Sequence, residues 1–404
     1  YDAGGAEYLD AYNNVPSVGH CHPHVVAAVT RQLGELNIHN RYLDAGILEY
    51  AERLLETLPD ALSNITFTCT GSESNDLALR LASSFTGARG VIVTESAYHG
   101  NTALVTGVSP SLMMRPTASS EVRFVPAPPT DRSVPPGVAA ERFAAGVKTA
   151  IADLERCGVG VAALLLDSIF SSDGVFADPP GLLRAAVDAV HGAGGLFIAD
   201  EVQCGFGRTG AGWWGFARHG VVPDVVTMGK PMGNGYPVGA VVTRPEILEA
   251  FCERFGYFNT FGGSPVAAAA GQAVLEVIEG EGLIENARRV GAGLKAELAA
   301  LAGRHPVITD VRGAGLYIGV ELAAAPAAGG APDPGTLHAG TPAAMLAKTV
   351  INELRRRRVL IGGAGGDGGV LKIRPPLCFS PADAGQLLTA LDEVLTRAQG
   401  WRPQ

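Results

Sequence analysis

Short apolar runs alternate with amphipathic stretches through the middle of the chain, the pattern of parallel strands covered by helices. The run ITFTC at 65–69 reads as a strand, and Asn75–Ser84 carries Leu77, Leu81 and neighbouring alanines at helical spacing. Gly90–Thr94 (GVIVT) then predicts a strand, which begins a βαβ rhythm. It continues with Val161–Asp167 (VAALLLD), a helix over about 182–191 stopped by Gly-Ala-Gly-Gly, the strand Leu196–Asp200 (LFIAD) and a strand-like run at Asp224–Met228. Beyond about residue 280 the order changes to a helix near 284–301, strands at Val307–Arg312 and Leu316–Glu321, and a helix around 343–358. Between the last two, Ala323–Gly340 has too little apolar bulk to pack and reads as a surface excursion. The run Arg355–Arg358 reads as a solvated helix end, and there is no internal repeat.

Composition narrows the function classes. The chain has 404 residues, 47% hydrophobic and 18% charged, enough to bury a substantial core. Its net charge of −9, with no long basic stretch, argues against a nucleic-acid partner. No apolar run approaches the roughly 18 residues of a membrane helix, so no membrane partner is expected. Six scattered cysteines without a CxxC pair suit reduced thiols and a cytoplasmic location. The sequence opens at Tyr1 in strand-like text, so an N-terminal segment is expected to precede it, and a removed targeting peptide stays open.

Only five of the 31 Lys and Arg residues are lysine. Lys148, Lys295 and Lys348 lie on polar faces of helical stretches and read as solvated. Lys230 follows the apolar run VVTMG and precedes PMGNGYPVGA, at the carboxyl end of a strand, where open α/β sheets build ligand sites. A primary amine there can form a Schiff base with an aldehyde when its neighbours depress its pKa. Asp200 ends LFIAD at the same kind of edge, placed to hold a proton on a heteroaromatic nitrogen, with the adjacent Glu201 turned the other way. Gly71 and Ser72, in TGSESN, present backbone amides and a hydroxyl at a helix N-terminus, an anion cradle. Thr70 and Glu73 have capping-box spacing, and both readings can hold.

Two other patterns compete. GFGRTG at 205–210 matches a dinucleotide fingerprint, with Asp224 near the distance of a ribose-binding acid, and so offers a nicotinamide-dependent oxidoreductase as the rival. Asp200, Glu201 and Gln203 intervene between strand and turn, however, and 211–220 has no helical stripe. The histidines of GHCHPHV alternate like ligands, but Pro23 breaks regular geometry and no partner set accompanies them; no metal is expected, and His20 and His22 read as loop-ordering residues.

Taken together, TGSESNDLAL, SAYHG, LFIADEVQCGFGRTG, VTMGKPMGNGYP and YFNTFGGSP resemble, in order and spacing, the class III aminotransferases, pyridoxal-phosphate enzymes of fold type I. The likeness runs from YLDAYNNVPSVGHCHP at 8–23 to LKIRPPLCFS at 371–380. Within the group, GKPMGNGYP and YFNTFGG look most like the branch containing ethanolamine-phosphate and phosphohydroxylysine phospho-lyases. The resemblance implies an α/β fold with a mostly parallel seven-stranded sheet in a large cofactor domain over 43–280, and a smaller α+β domain from 1–42 and 281–404. It implies pyridoxal 5'-phosphate as cofactor, Lys230 as the Schiff-base lysine and Asp200 as the partner of the pyridinium nitrogen. Gly71 and Ser72 match the phosphate cradle, Tyr98 matches the ring-stacking aromatic, and His99 follows it. Val202 and Gln203 resemble residues behind the ring and near its phenolic oxygen. Thr260 matches a threonine that reaches the cofactor phosphate from the neighbouring subunit, so a homodimer with shared sites is implied.

The expected activity is transamination of a small amine or amino acid, with phosphate elimination from an O-phosphorylated amine next, and elimination or replacement on an amino acid as a third course. The catalytic lysine and aspartate are common to all three. Many relatives that process α-carboxylates carry arginine three residues before the PP pair, where this chain has Lys372, with Arg374 adjoining the prolines. Lys372, Arg374 and Arg41 (IHNRYLD) are the candidate substrate residues. Ser74 for alanine in TGSESN and Tyr236 for histidine in GNGYP are further departures from the branch.

Overall fold

The apolar runs assemble into one seven-stranded sheet because each is short and rich in β-branched residues or leucine, the inner strands being buried on both faces. A computed structural model describes residues 1–113, 119–128, 134–323 and 341–398. The Ala/Gly/Pro tract, from 324 to 340, lies outside the described residues. The strands are β1 (Asn64–Thr68), β2 (Gly90–Thr94), β3 (Val122–Val125), β4 (Val161–Asp167), β5 (Leu196–Asp200), β6 (Val225–Met228) and β7 (Gly239–Thr243). Their order across the sheet is β1-β7-β6-β5-β4-β2-β3. Only β7 runs antiparallel to its two neighbours.

Register decides where chemistry collects. Asp167 of β4 lies opposite Asp200 of β5, and Asp200 opposite Thr227 of β6. All three strands therefore end at one edge, where Lys230 follows two residues beyond Met228. β1 delivers Thr70 to the same edge, and the helix Gly71–Thr86 starts there.

A second sheet is antiparallel and is built from Ile308–Ala314, Tyr317–Leu322, Gly362–Ala364 and Val370–Ile373. Leu9–Asp10 pairs in parallel with Val359–Leu360, which joins the two ends of the chain. The segment after Asp10 then threads between the two sheets. Arg374 N–H donates to the Ala11 carbonyl and Leu377 N–H to that of Ser17, while Ser17 Oγ donates to the Pro231 carbonyl. Asn234 completes the seam, its carboxamide accepting from Val18 N–H and donating to Gly19.

Candidate active site

The helix Gly71–Thr86 starts because Thr70 Oγ1 accepts the Glu73 N–H at 3.1 Å. The Glu73 carboxylate reaches back past the cap to the Cys69 N–H, 2.9 Å away, a variant of the expected box. Among the described residues the N–H groups of Gly71 and Ser72 have no acceptor, and both residues line a cavity of about 280 Å3. A Cβ on Gly71 would come within 2.9 Å of Val202, so only glycine lets the two segments approach this closely. The cap and the cradle coexist.

Tyr98, His99, Asp200, Val202, Gln203 and Lys230 all line the same cavity. The sequence reading thus brought its cofactor residues to one place, Thr260 excepted. Asp200 is buried and fully engaged. Its Oδ2 accepts from His99 Nδ1 at 2.7 Å and Asn75 Nδ2 at 2.9 Å, and its Oδ1 from Val202 N–H at 3.1 Å. Asn75 is itself fixed, accepting from Thr227 Oγ1 and donating to the His99 carbonyl. His99 Nε2 is buried and has no partner among the described residues.

Lys230 has its Nζ 5.8 Å from the Tyr98 ring centroid, and no carboxylate lies within ion-pair distance among the described residues. Burial pushes its ammonium below the usual lysine range, against the pull of Asp200. An amine kept partly neutral is what imine formation and proton abstraction require.

Glu201 turns away from the cavity and into the core, where no cation meets it among the described residues. Ser168 Oγ and the Gly215 and Phe216 N–H groups satisfy it, and burial pushes its carboxyl up to about 7. GFGRTG opens no helix: Arg208 within it is buried and donates to the Leu316 and Pro375 carbonyls. Asp224 is taken up by His191, Arg244 and the Phe197 N–H. Neither site of a dinucleotide fingerprint is available. His20, His22 and His24 each face a carboxylate, Asp10, Glu281 and Glu276. Lys295, expected to be solvated, donates to the Gly313 carbonyl at 2.9 Å.

The substrate candidates separate. Arg374 is buried, donating through Nε to the Tyr12 carbonyl and through Nη1 to Gln203 Oε1, and it is flanked by the Tyr12 and Tyr317 rings. Lys372 is partly buried and unpaired among the described residues. Burial first, then Arg374 and Lys230, press its ammonium down to about 7. Arg41 is exposed, its guanidinium 4.2 Å from the Phe258 ring; neither it, nor exposed Thr260, nor Lys372 or Arg374 is among the residues lining the cavity of its own chain. The sequence reading missed Asn75, Asp167, Ser171 and Tyr317. Asp167 carried the same signal as Asp200, an acid ending an apolar strand.

The donor set fits pyridoxal phosphate. It offers free amides for an anion at a helix N-terminus, a buried carboxylate for a protonated ring nitrogen, and a deprotonable amine for an aldehyde.

A family model described as aminotransferase class-III matches residues 1–395. An alanine–glyoxylate aminotransferase 2-like protein of Drosophila melanogaster is 40% identical over 407 residues, 98% of this chain and 80% of its own. Ethanolamine-phosphate phospho-lyase homolog 1 of Caenorhabditis elegans is 38% identical over 98% of this chain and 86% of its own. Among solved structures, an Arthrobacter phospholyase in complex with phosphoethanolamine superposes with a TM-score of 0.90 at 42% identity, covering 98% of this chain and 92% of that one.

Proposed function

Because the chain belongs to the class III aminotransferase family, whose members work with pyridoxal phosphate, we propose that it eliminates phosphate and ammonia from a small O-phosphorylated primary amine. The observation that carries this reading is Lys372, a partly buried ammonium without a carboxylate partner among the described residues, at the position where the family resemblance implies arginine in many relatives that process α-carboxylates. Arg374 does not replace that arginine, since Gln203 and the Tyr12 carbonyl already occupy it. A partly buried cation with no partner among the described residues calls for an anionic occupant, and a phosphate dianion matches it better than a bidentate carboxylate does. The Arthrobacter and Caenorhabditis relatives support the same reading.

Gly71 and Ser72 would hold the cofactor phosphate, Asp200 its ring nitrogen, and Tyr98 and Val202 its ring. Bound here, pyridoxal phosphate supplies an aldehyde for the substrate amine and an electron-withdrawing ring. Lys230, freed as a neutral amine, takes the proton from the carbon bearing nitrogen. Asp200 would face the ring nitrogen, held by three donors that leave it no freedom to turn away. Lys372 neutralises the phosphate as the C–O bond on the neighbouring carbon breaks and that oxygen takes the bond's electron pair. Water then releases the carbonyl product and ammonia.

Direct transamination is the second reading, favoured by the Drosophila relative and needing the same Lys230 and Asp200. A homodimer, with Arg41 and Thr260 reaching the partner's cavity, belongs to either. Holoenzyme given a phosphorylated amine without a keto acid should release ammonia and phosphate in equal amounts over many turnovers. Amino transfer to the cofactor, once per site and without phosphate, would sink the lyase reading.

A further inference from the structure

Behind the cavity wall, hydrogen bonds run in one direction from a cation to an anion. Arg374 Nη1 donates to Gln203 Oε1, and Tyr317 Oη gives the same oxygen a second bond at 3.0 Å. A guanidinium accepts nothing, so Arg374 favours the carboxamide oxygen on its own side. The carboxamide nitrogen therefore faces the other way and donates to Ser171 Oγ at 2.7 Å. Ser171 passes its own hydrogen to Asp167 Oδ2. Asp167 also accepts the Ser171 N–H at 3.1 Å and the Ile169 N–H at 3.0 Å, so it receives donors only, as an ionised carboxyl does. Gln203 and Asp167 both line the cavity. With one Nε2 hydrogen engaged by Ser171, the other is left for the cavity.

We infer that Asp167 and Ser171 are positioning residues that lock the Gln203 carboxamide as a donor toward the bound cofactor, lowering the pH at which the cofactor's visible absorbance titrates. A donor held against an anionic oxygen favours its deprotonated form, and an amide free to swing its oxygen inward does the opposite. The charge at the end of the line is itself balanced. Burial pushes the Asp167 carboxyl upward and Asp200 adds to this, while its Ser171 and Ile169 bonds oppose them. Asp173, Cys204, Lys230, Lys372 and Tyr317 also feel its charge.

The inference rests on pyridoxal phosphate occupying the cavity and is independent of the substrate. Absorbance of the holoenzyme is titrated against pH for the wild type, Ser171→Ala, Ser171→Thr and Asp167→Asn, and the cofactor dissociation constant is read by fluorescence. Ser171→Ala and Asp167→Asn should each raise the midpoint by about one pH unit, the two together by no more than either, and Ser171→Thr should keep the wild-type midpoint. A folded Ser171→Ala protein with an unmoved midpoint overturns the inference, as does a Ser171→Thr shift as large as that of alanine. Should the alanine variant fail to fold, Ser171→Cys, nearly isosteric and a poor acceptor, carries the same expectation. A moved midpoint without phosphate release keeps the relay and removes the lyase reading, and an unmoved midpoint with release does the reverse.

Discussion

On the proposed reading Lys372 is the residue on which substrate choice turns, and its surroundings give it a testable pH dependence. In the free site its ammonium is pressed down to about 7, while a phosphate dianion requires it protonated. The profile of kcat/KM reports the free enzyme, so for a phosphorylated amine it should fall above pH 7, approaching about tenfold per pH unit. In Lys372→Arg the guanidinium stays charged and this limb should vanish; Lys372→Met should lose about a hundredfold in kcat/KM at pH 7. A limb unchanged in the arginine variant would remove Lys372 from phosphate binding. Lys230 and Asp200 were legible in the sequence because each is an odd residue closing an apolar strand. Asn75 and Tyr317 were not, since their meaning lies in contacts made across more than a hundred residues, with Asp200 and Gln203 respectively.

Among helices, a single buried stripe is the legible signal, and a helix buried all round offers none. The helix Leu283–Ala302 was expected at 284–301 and has one buried stripe. The helix Pro265–Gly280 is buried on nearly every side, so its alanine-rich text has no stripe to announce it. β7 was missed because GAVVT follows a glycine-rich turn and reads as its continuation, although it is the strand that runs against its two neighbours in the seven-stranded sheet. Glu201 couples two such elements, tying the end of β5 to the turn at Gly215–His219. Its carboxyl stands at about 7 in the folded protein against an ordinary 4.5, so between these values the folded state holds a proton that the unfolded chain releases. The stability this contributes is complete below pH 4.5 and lost as pH rises through about 7, some 3 kcal/mol in all. His219, lowered to about 4 by burial, acts in the opposite sense and is lost as pH falls. The difference in urea midpoint between wild-type apoprotein and Glu201→Gln isolates the first effect: the wild type's advantage should shrink from pH 5 to pH 8. An advantage that grows over that range would reverse the sign and discard the account.

For the whole molecule, one exposed apolar face bears on the proposed homodimer. Leu43 is 100% exposed, Phe261 68% and Leu48 64%, and Asn40 binds the 39–42 segment to the Asn259 and Gly262 carbonyls beside them. Arg41 and Thr260 lie on this same face, outside their own chain's cavity. An apolar patch of this kind rarely stays open to water, and a twofold interface would place each chain's Thr260 against the other's site. A mixing experiment separates a shared site from a private one. Lys230→Ala removes the amine, and Thr260→Glu sets a carboxylate against the cofactor phosphate, so either homodimer should be inactive. In a mixed dimer one of the two sites draws its lysine from the Thr260→Glu chain and its threonine from the Lys230→Ala chain, and that site is intact. Refolding the two variants together in equal amounts should recover about a quarter of the wild-type activity, the share of intact sites under random pairing. If Thr260 served its own chain's cavity, no pairing could restore a site, and activity would stay at the background of the two homodimers.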